Sequence, residues 1–363
     1  MSIDLKQPLF FQPNRVWRCY TGGALIDRFV GNAPGTDGDF PEDWLASTTV
    51  ALNGPHQQGP EEGLSRIRLP DGADGPLLRD LIDADTEACL GPGADPEAGV
   101  GVLCKFLDSA IRLPIQCHPD RAFARTHYQS EHGKAESWFI LGSRAIDGEE
   151  PYILMGFKPG VKREDLRDAV AAQDIDAMVD MLHRVPVAAG DAYFIPGRFP
   201  HAIGSGVFLL EVQEPTDWVV QPERFVGHTE LSDSDMWGPL EPDVGLDCFD
   251  YDGAGEIDDV LGRVRLRGET LFEGPGGMVE RLVGPDVTDC FRVDRLTVEG
   301  EIDYTADAPY HITVVTEGAG QIDTDGNAMP VERGDTLFLP HAVRGVRYSA
   351  AEERLQLFVI TRG

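Results

Sequence analysis

The stretch GDAYFIP (190–196) returns near the other end of the chain as GDTLFLP (334–340). In both copies Gly-Asp opens a turn, apolar residues follow in alternation, and Pro closes the run. Alternation with a period of two is strand patterning, and Gly and Pro punctuate strand ends. The same strand met twice predicts the same element of two related β-barrels in tandem.

Working outward from the first copy, strand-like runs surround it: VGVLCKFLD, RLPIQCHP, ESWFILGS and GVFLLEVQE. Around the second copy lie RVRLR, CFRVDRLTV, YHITVVTE, AGQIDTDG, GVRYS and RLQLFVIT, with DG and DGN steps that suit hairpin turns. The predicted class is mainly β. A first barrel occupies 1–225 and a second 259–363. The acidic, Gly/Pro-rich segment 226–258 reads as a linker. Residues 162–184 read as a helical segment, with Leu166, Val170, Met178 and Leu182 forming an apolar stripe. Residues 52–100 read as an irregular, lid-like segment containing one short helix, PLLRDLIDADTEACL.

Composition narrows the function. A chain of 363 residues exceeds what one core usually serves. Its formal net charge of −31 argues against nucleic acid or an anionic membrane as a main partner. An anionic substrate would need a local basic pocket against that field. Six cysteines are scattered with no CxxC, which fits buried free thiols in a reducing compartment. No apolar run approaches membrane-spanning length, and the N-terminus lacks a signal-peptide pattern. A cytoplasmic protein, monomeric or a small homo-oligomer, is expected.

Four residues point to a metal. Gln116 and His118 sit at i and i+2 in LPIQCHPD, so a strand would aim both side chains the same way. Glu136 opens the aromatic run ESWFI, and His201 follows a Pro-Gly turn. Two imidazoles, a carboxylate and an amide oxygen make a mixed N/O site for a divalent ion such as zinc.

The combined motifs resemble the cupin superfamily of double-sheet jelly-roll barrels. More closely, the chain resembles the class I mannose-6-phosphate isomerases of the short bacterial type. The segments that carry the likeness are KFLDSAIRLPIQCHPD (105–120), GKAESWFIL (133–141) and PGRFPHAIGSGVFLLEVQEPTD (196–217), with weaker echoes in VWRCYTGGAL and EDWLAS. The resemblance covers most of 5–225 and implies a second, metal-free cupin barrel after it. There the position matching His201 is Gly345, so His311 and His341 are expected to be structural.

The resemblance implies an aldose–ketose isomerase, with one zinc ion per chain held by Gln116, His118, Glu136 and His201. Its substrate would be a small sugar phosphate, mannose 6-phosphate or fructose 6-phosphate. A proton would move between C1 and C2 through an enediol, with the ion stabilising the developing charge. Lys134 and Glu211 are the implied proton-handling or substrate-binding residues, with Asp217 close by. Lys105 and Ser109 are candidates to meet the phosphate. Gln221 stands where the family places an arginine, and a glutamine lacks the charge and the bidentate fork. Arg224 is the expected substitute. The same departure leaves open an isomerase of another sugar, or a non-catalytic metal-bound sugar-phosphate binding protein.

Overall fold

A computed structural model describes residues 3–343 and 345–363. Two antiparallel barrels follow one another, each built from two facing sheets. In the first, a six-stranded sheet runs in the spatial order Ala192–Ile195, Glu136–Ser143, Val207–Gln213, Leu103–Asp108, Glu42–Leu45, Arg15–Val16. It faces a three-stranded sheet of His201–Ile203, Tyr152–Phe157 and Leu182–Pro186. In the second, seven strands from Leu9–Phe10 to Glu269–Gly274 face four strands that include Val346–Ala350. The tandem cupin architecture expected from the repeated strand is present.

The repeat holds to the residue. Ile195 pairs with Glu136 in the first barrel, and Leu339 pairs with His311 in the second. His311 therefore stands where Glu136 stands in the first barrel. The chain does not divide cleanly between the two units, because Leu9 and Phe10 pair with Phe338 and Leu337 of the second.

The two large sheets pack back to back. Cys104, Phe106, Phe139, Phe208, Leu210 and Val212 point out of the first barrel. They meet Phe291, Val293, Ile312, Phe338, Phe358 and Ile360 of the second in one apolar layer. Phe139 and Phe358 lie 5.1 Å apart, ring to ring. This burial on both faces explains why the strand runs look continuously apolar. Strand alternation then sends Leu103, Lys105, Leu107, Trp138 and Glu211 to the barrel interior.

Three segments differ from the sequence expectation. Residues 162–184 are not one helix. They form Arg163–Ala172, then Ile175–Asp180, then the strand Leu182–Pro186. Gln173 breaks the helix with a left-handed φ of 50°, and the Asp174 side chain caps the next one by accepting from the Ala177 N–H. The expected linker 226–258 is folded onto the first barrel. It carries helices Asp233–Trp237 and Pro242–Leu246 and buries Met236, Trp237, Leu246, Cys248 and Phe249 in that core. Its acids sit outside and its few large apolar residues inside, so average composition hid the packing. Of the lid-like 52–100, only Leu52–Gly54, His56 and Gln57 reach the cavity described below. Leu78, Ile82, Cys89 and Leu90 are buried in the layer between the barrels.

Candidate active site

The first barrel opens into a cavity of about 440 Å³, and the metal candidates line or adjoin it. One ligand atom each from His118, Glu136 and His201 lie within 4.8 Å of one another. Each comes from a different local device. Glu136 begins the strand Glu136–Ser143. His118 follows the bridge in which Cys117 pairs with Val220. His201 follows a turn in which Gly197 passes so close to Asp120 that a Cβ would stand 2.6 Å from its Cα, so glycine is required there. Gln116 bridges His201 through the backbone, N to O 2.7 Å and O to N 3.0 Å, and lines the same cavity.

The hydrogen bonds fix the imidazole tautomers. His118 Nδ1 lies 2.8 Å from the Trp218 carbonyl, and His201 Nδ1 lies 2.8 Å from the Phe199 carbonyl. A carbonyl only accepts, so each Nδ1 carries the hydrogen and each Nε2 presents a lone pair. His118 Nε2 then stands 3.0 Å from Glu136 Oε1, and His201 Nε2 is buried with no partner. Burial, and then the Lys134 ammonium, push the His118 pKa down. Burial and His118 press that of His201 to about 3. Burial alone would raise the Glu136 carboxyl, but the Lys134 ammonium beside it holds it well below the usual range. Two imidazole lone pairs and an ionised carboxylate converge here with only the Lys134 ammonium beside them, 3.4 Å from His118 Nε2, an arrangement that would suit a divalent cation. The donor set fits a divalent ion.

Around this triad runs a buried chain of charges. Lys134 Nζ is 3.2 Å from Glu136 Oε1. Trp138 Nε1 donates to Glu136 Oε2 at 3.1 Å and to Glu211 Oε1 at 2.9 Å. Lys105 Nζ is 2.8 Å from Glu211 Oε2 and 3.7 Å from Glu42 Oε2. Glu42 also accepts from Arg18 Nε, and Arg18 Nη2 reaches both Asp217 oxygens at 3.1 and 3.2 Å. Burial and the neighbouring Glu136 charge raise the Glu211 pKa to about 7. Against its burial, Arg18 and Lys105 hold Glu42 near 2. Two carboxylates of one cavity are thus pushed in opposite directions, the pattern of a site that handles protons.

The structure brings Gln116, His118, Glu136, His201, Lys134, Glu211, Lys105, Asp217 and Gln221 together. Two expectations fail on geometry. Arg224 is outside the cavity lining and is spent on Asp233 and, at 3.0 Å, on the Leu231 carbonyl. Three residues along the chain from Gln221 is a different side of the loop. Ser109 is fully buried under the barrel wall, its hydroxyl donating to the Gly204 carbonyl, and does not line the cavity. Gln221 itself donates to the Asp235 carbonyl at 3.0 Å. Arg18, Glu42 and the stacked pair Trp17 and His56 were not singled out in the sequence. Trp17, Arg18 and Glu42 lie in the weak echoes VWRCYTGGAL and EDWLAS; His56 lies in neither and carried no signal.

Comparison with known proteins agrees with the architecture. Residues 285–350 match the family model of the mannose-6-phosphate isomerase cupin domain. Over 351 residues the chain is 28% identical to the mannose-6-phosphate isomerase of Streptococcus mutans, covering 95% of this chain and 96% of that protein. It is 24% identical over 244 residues to a mannose-6-phosphate isomerase of Bacillus subtilis, covering 67% and 70%. The crystal structure of the mannose 6-phosphate isomerase from Bacillus subtilis superimposes with a TM-score of 0.74 at 21% identity, covering 97% and 99% of the two chains. Second-barrel match, near-full-length relatives and shared fold converge: along nearly its whole length the chain is similar to the cupin-type mannose-6-phosphate isomerases.

Proposed function

We propose that this protein is a zinc-dependent aldose–ketose isomerase that interconverts mannose 6-phosphate and fructose 6-phosphate. The observation that carries the proposal is the convergence of His118, Glu136 and His201 beside Glu211 and Lys134 in one buried cavity. The near-full-length likeness to proteins named as mannose-6-phosphate isomerases supports the substrate. His118, Glu136 and His201, with the Gln116 amide, would hold the ion. When bound, it supplies a Lewis acid that stabilises charge on the sugar's C1 and C2 oxygens.

The chain's own residues supply the rest. Glu211, held near neutrality, takes the proton from one sugar carbon and returns it to the next. Trp138 fixes its Oε1 and Lys105 its Oε2, so the carboxylate cannot swing away. Lys134 places an ammonium 3.2 Å from Glu136 Oε1, on the same wall of the cavity. The buried setting keeps water from the enediol. Six free cysteines support a reducing, cytoplasmic setting. The test is coupled conversion of mannose 6-phosphate by the zinc-loaded protein. Activity lost on chelation and regained with zinc supports the proposal. A wild-type rate in Glu136→Ala would sink it.

One observation favours a second reading. Gln221 lines the cavity as a neutral amide and Arg224 is elsewhere. A metal-loaded protein that binds sugar phosphate without turnover, and gains a rate in Gln221→Arg, would be a binding protein instead.

A further inference from the structure

Both metal-candidate imidazoles lean on one turn, residues 196–200. The Arg198 N–H donates to the His118 carbonyl at 2.6 Å. The next carbonyl along the chain, that of Phe199, accepts from His201 Nδ1 at 2.8 Å. Two neighbouring residues thus hold the backbone behind the first imidazole and orient the ring of the second.

Arg198 itself has a left-handed φ of 70°. Glycine adopts that conformation freely, whereas a residue with a Cβ does so at a cost. Such residues persist where their surroundings over-determine them, and they gather at functional sites. Here the guanidinium does the holding. Arg198 lies outside the cavity lining and donates Nε to the Cys248 carbonyl at 3.3 Å and Nη2 to the Asp247 carbonyl at 3.1 Å. Its own carbonyl accepts from the Asp250 N–H at 2.8 Å. Cys117, between Gln116 and His118, donates its thiol to the same Cys248 carbonyl at 3.2 Å. Residues 247–250 therefore grip both the segment that carries His118 and the turn that leads to His201. They are anchored in turn by Cys248 and Phe249, which are buried in the core of the first barrel.

We propose that Arg198 is a positioning residue of the metal centre, and that residues 247–250 are the brace it works against. The proposal rests on the metal reading given above. Arg198 acts from behind the site, through the backbone of His118 and the turn before His201. It fixes where the two imidazole nitrogens stand relative to Glu136 before an ion arrives, so the ion need not order them.

The experiment uses the full-length protein with zinc and cobalt(II) as probes. Arg198→Gly keeps both backbone hydrogen bonds, relaxes φ and removes only the guanidinium. Its metal-free form is expected to melt close to wild type. Its zinc affinity, read by competition with a chromophoric chelator, is expected to fall about 10- to 100-fold. Its cobalt(II) absorption spectrum is expected to differ from wild type, a readout of ligand geometry that a merely stabilising contact leaves alone. Arg198→Lys keeps the charge but not the planar fork, and its zinc affinity is expected to fall between the two. An unchanged zinc affinity or an unchanged cobalt spectrum in Arg198→Gly overturns the proposal. Should that variant fail to fold, Arg198→Lys decides alone. Weakened zinc binding with an altered spectrum then supports the proposal, and a wild-type value of either overturns it. Failure of the wild-type protein to bind zinc or cobalt removes the metal reading itself, which separates the two failures.

Discussion

His118 Nε2 faces Glu136 Oε1 across 3.0 Å, with the other imidazole nitrogen bound to a carbonyl. Neither atom brings a proton to that contact, and the Lys134 ammonium stands 3.4 Å from the nitrogen and 3.2 Å from the oxygen, so the pair is a candidate to hold a divalent cation. Truncating either partner removes one donor and leaves the other turned toward a vacated position. His118→Ala and Glu136→Ala are each expected to lower metal affinity by about 100-fold or more. Metal content after dialysis against a graded chelator measures it, and retention equal to wild type would contradict the assignment.

Glu211→Gln keeps the shape of the side chain and removes the carboxylate. Lys105 is then left with Glu42 at 3.7 Å as its nearest counter-charge. The expected loss in kcat is about 10²- to 10⁴-fold, the usual worth of a positioned acid or base, with metal content unchanged. Parallel kinetics and metal analysis separate this from a collapse of the site.

Arg224→Ala is expected to leave kcat and KM within about threefold of wild type. Its guanidinium ties Asp233 and the Leu231 carbonyl outside the cavity. An exposed ion pair of this kind is worth at most about 1 kcal/mol of stability. A large kinetic defect would mean that the loop rearranges around substrate.

Arg18→Ala is expected to cost far more in stability. Its partners Glu42 and Asp217 are both buried, with side chains 4% and 9% exposed. Removing one member of a buried ion network leaves charges without partners, at a cost of about 3–5 kcal/mol. Urea denaturation of the two arginine variants side by side gives the contrast directly.

His311 makes stability depend on pH away from the candidate active site. Burial presses its pKa to about 4, below the roughly 6.5 of an unfolded histidine. The unfolded chain therefore binds the proton first as pH falls. This contribution to stability is complete above about pH 6.5 and is lost progressively down to about pH 4, at up to about 1.4 kcal/mol per pH unit. His311→Gln is expected to flatten the stability profile across that window.

Much of this was legible in the strand patterning. GDAYFIP and GDTLFLP announced two barrels because a barrel strand repeats its alternation wherever it is rebuilt. The convergence of His118, Glu136 and His201, with Gln116 beside them, was legible because residue types that can hold a metal keep their chemistry in any local context. Arg18 was not, since nothing in VWRCY says that its side chain crosses to Asp217, far along the chain. Arg224 misled for the related reason that neighbours in a loop can face opposite ways. Residues 226–258 read as a linker because acidic composition dominates the average, while burial is decided by single residues such as Trp237 and Phe249.

The pairing of Leu9 with Phe338 also shapes how the molecule is made. Leu9 and Phe10 are made long before Phe338 and Leu337, the residues they pair with. Meanwhile the outward-facing Phe106, Phe139 and Phe208 of the first barrel wait uncovered for Phe338 and Phe358. During synthesis that unfinished apolar face is what a chaperone would meet. Shortening the chain at its C-terminus is expected to leave the outer apolar face of the first barrel uncovered.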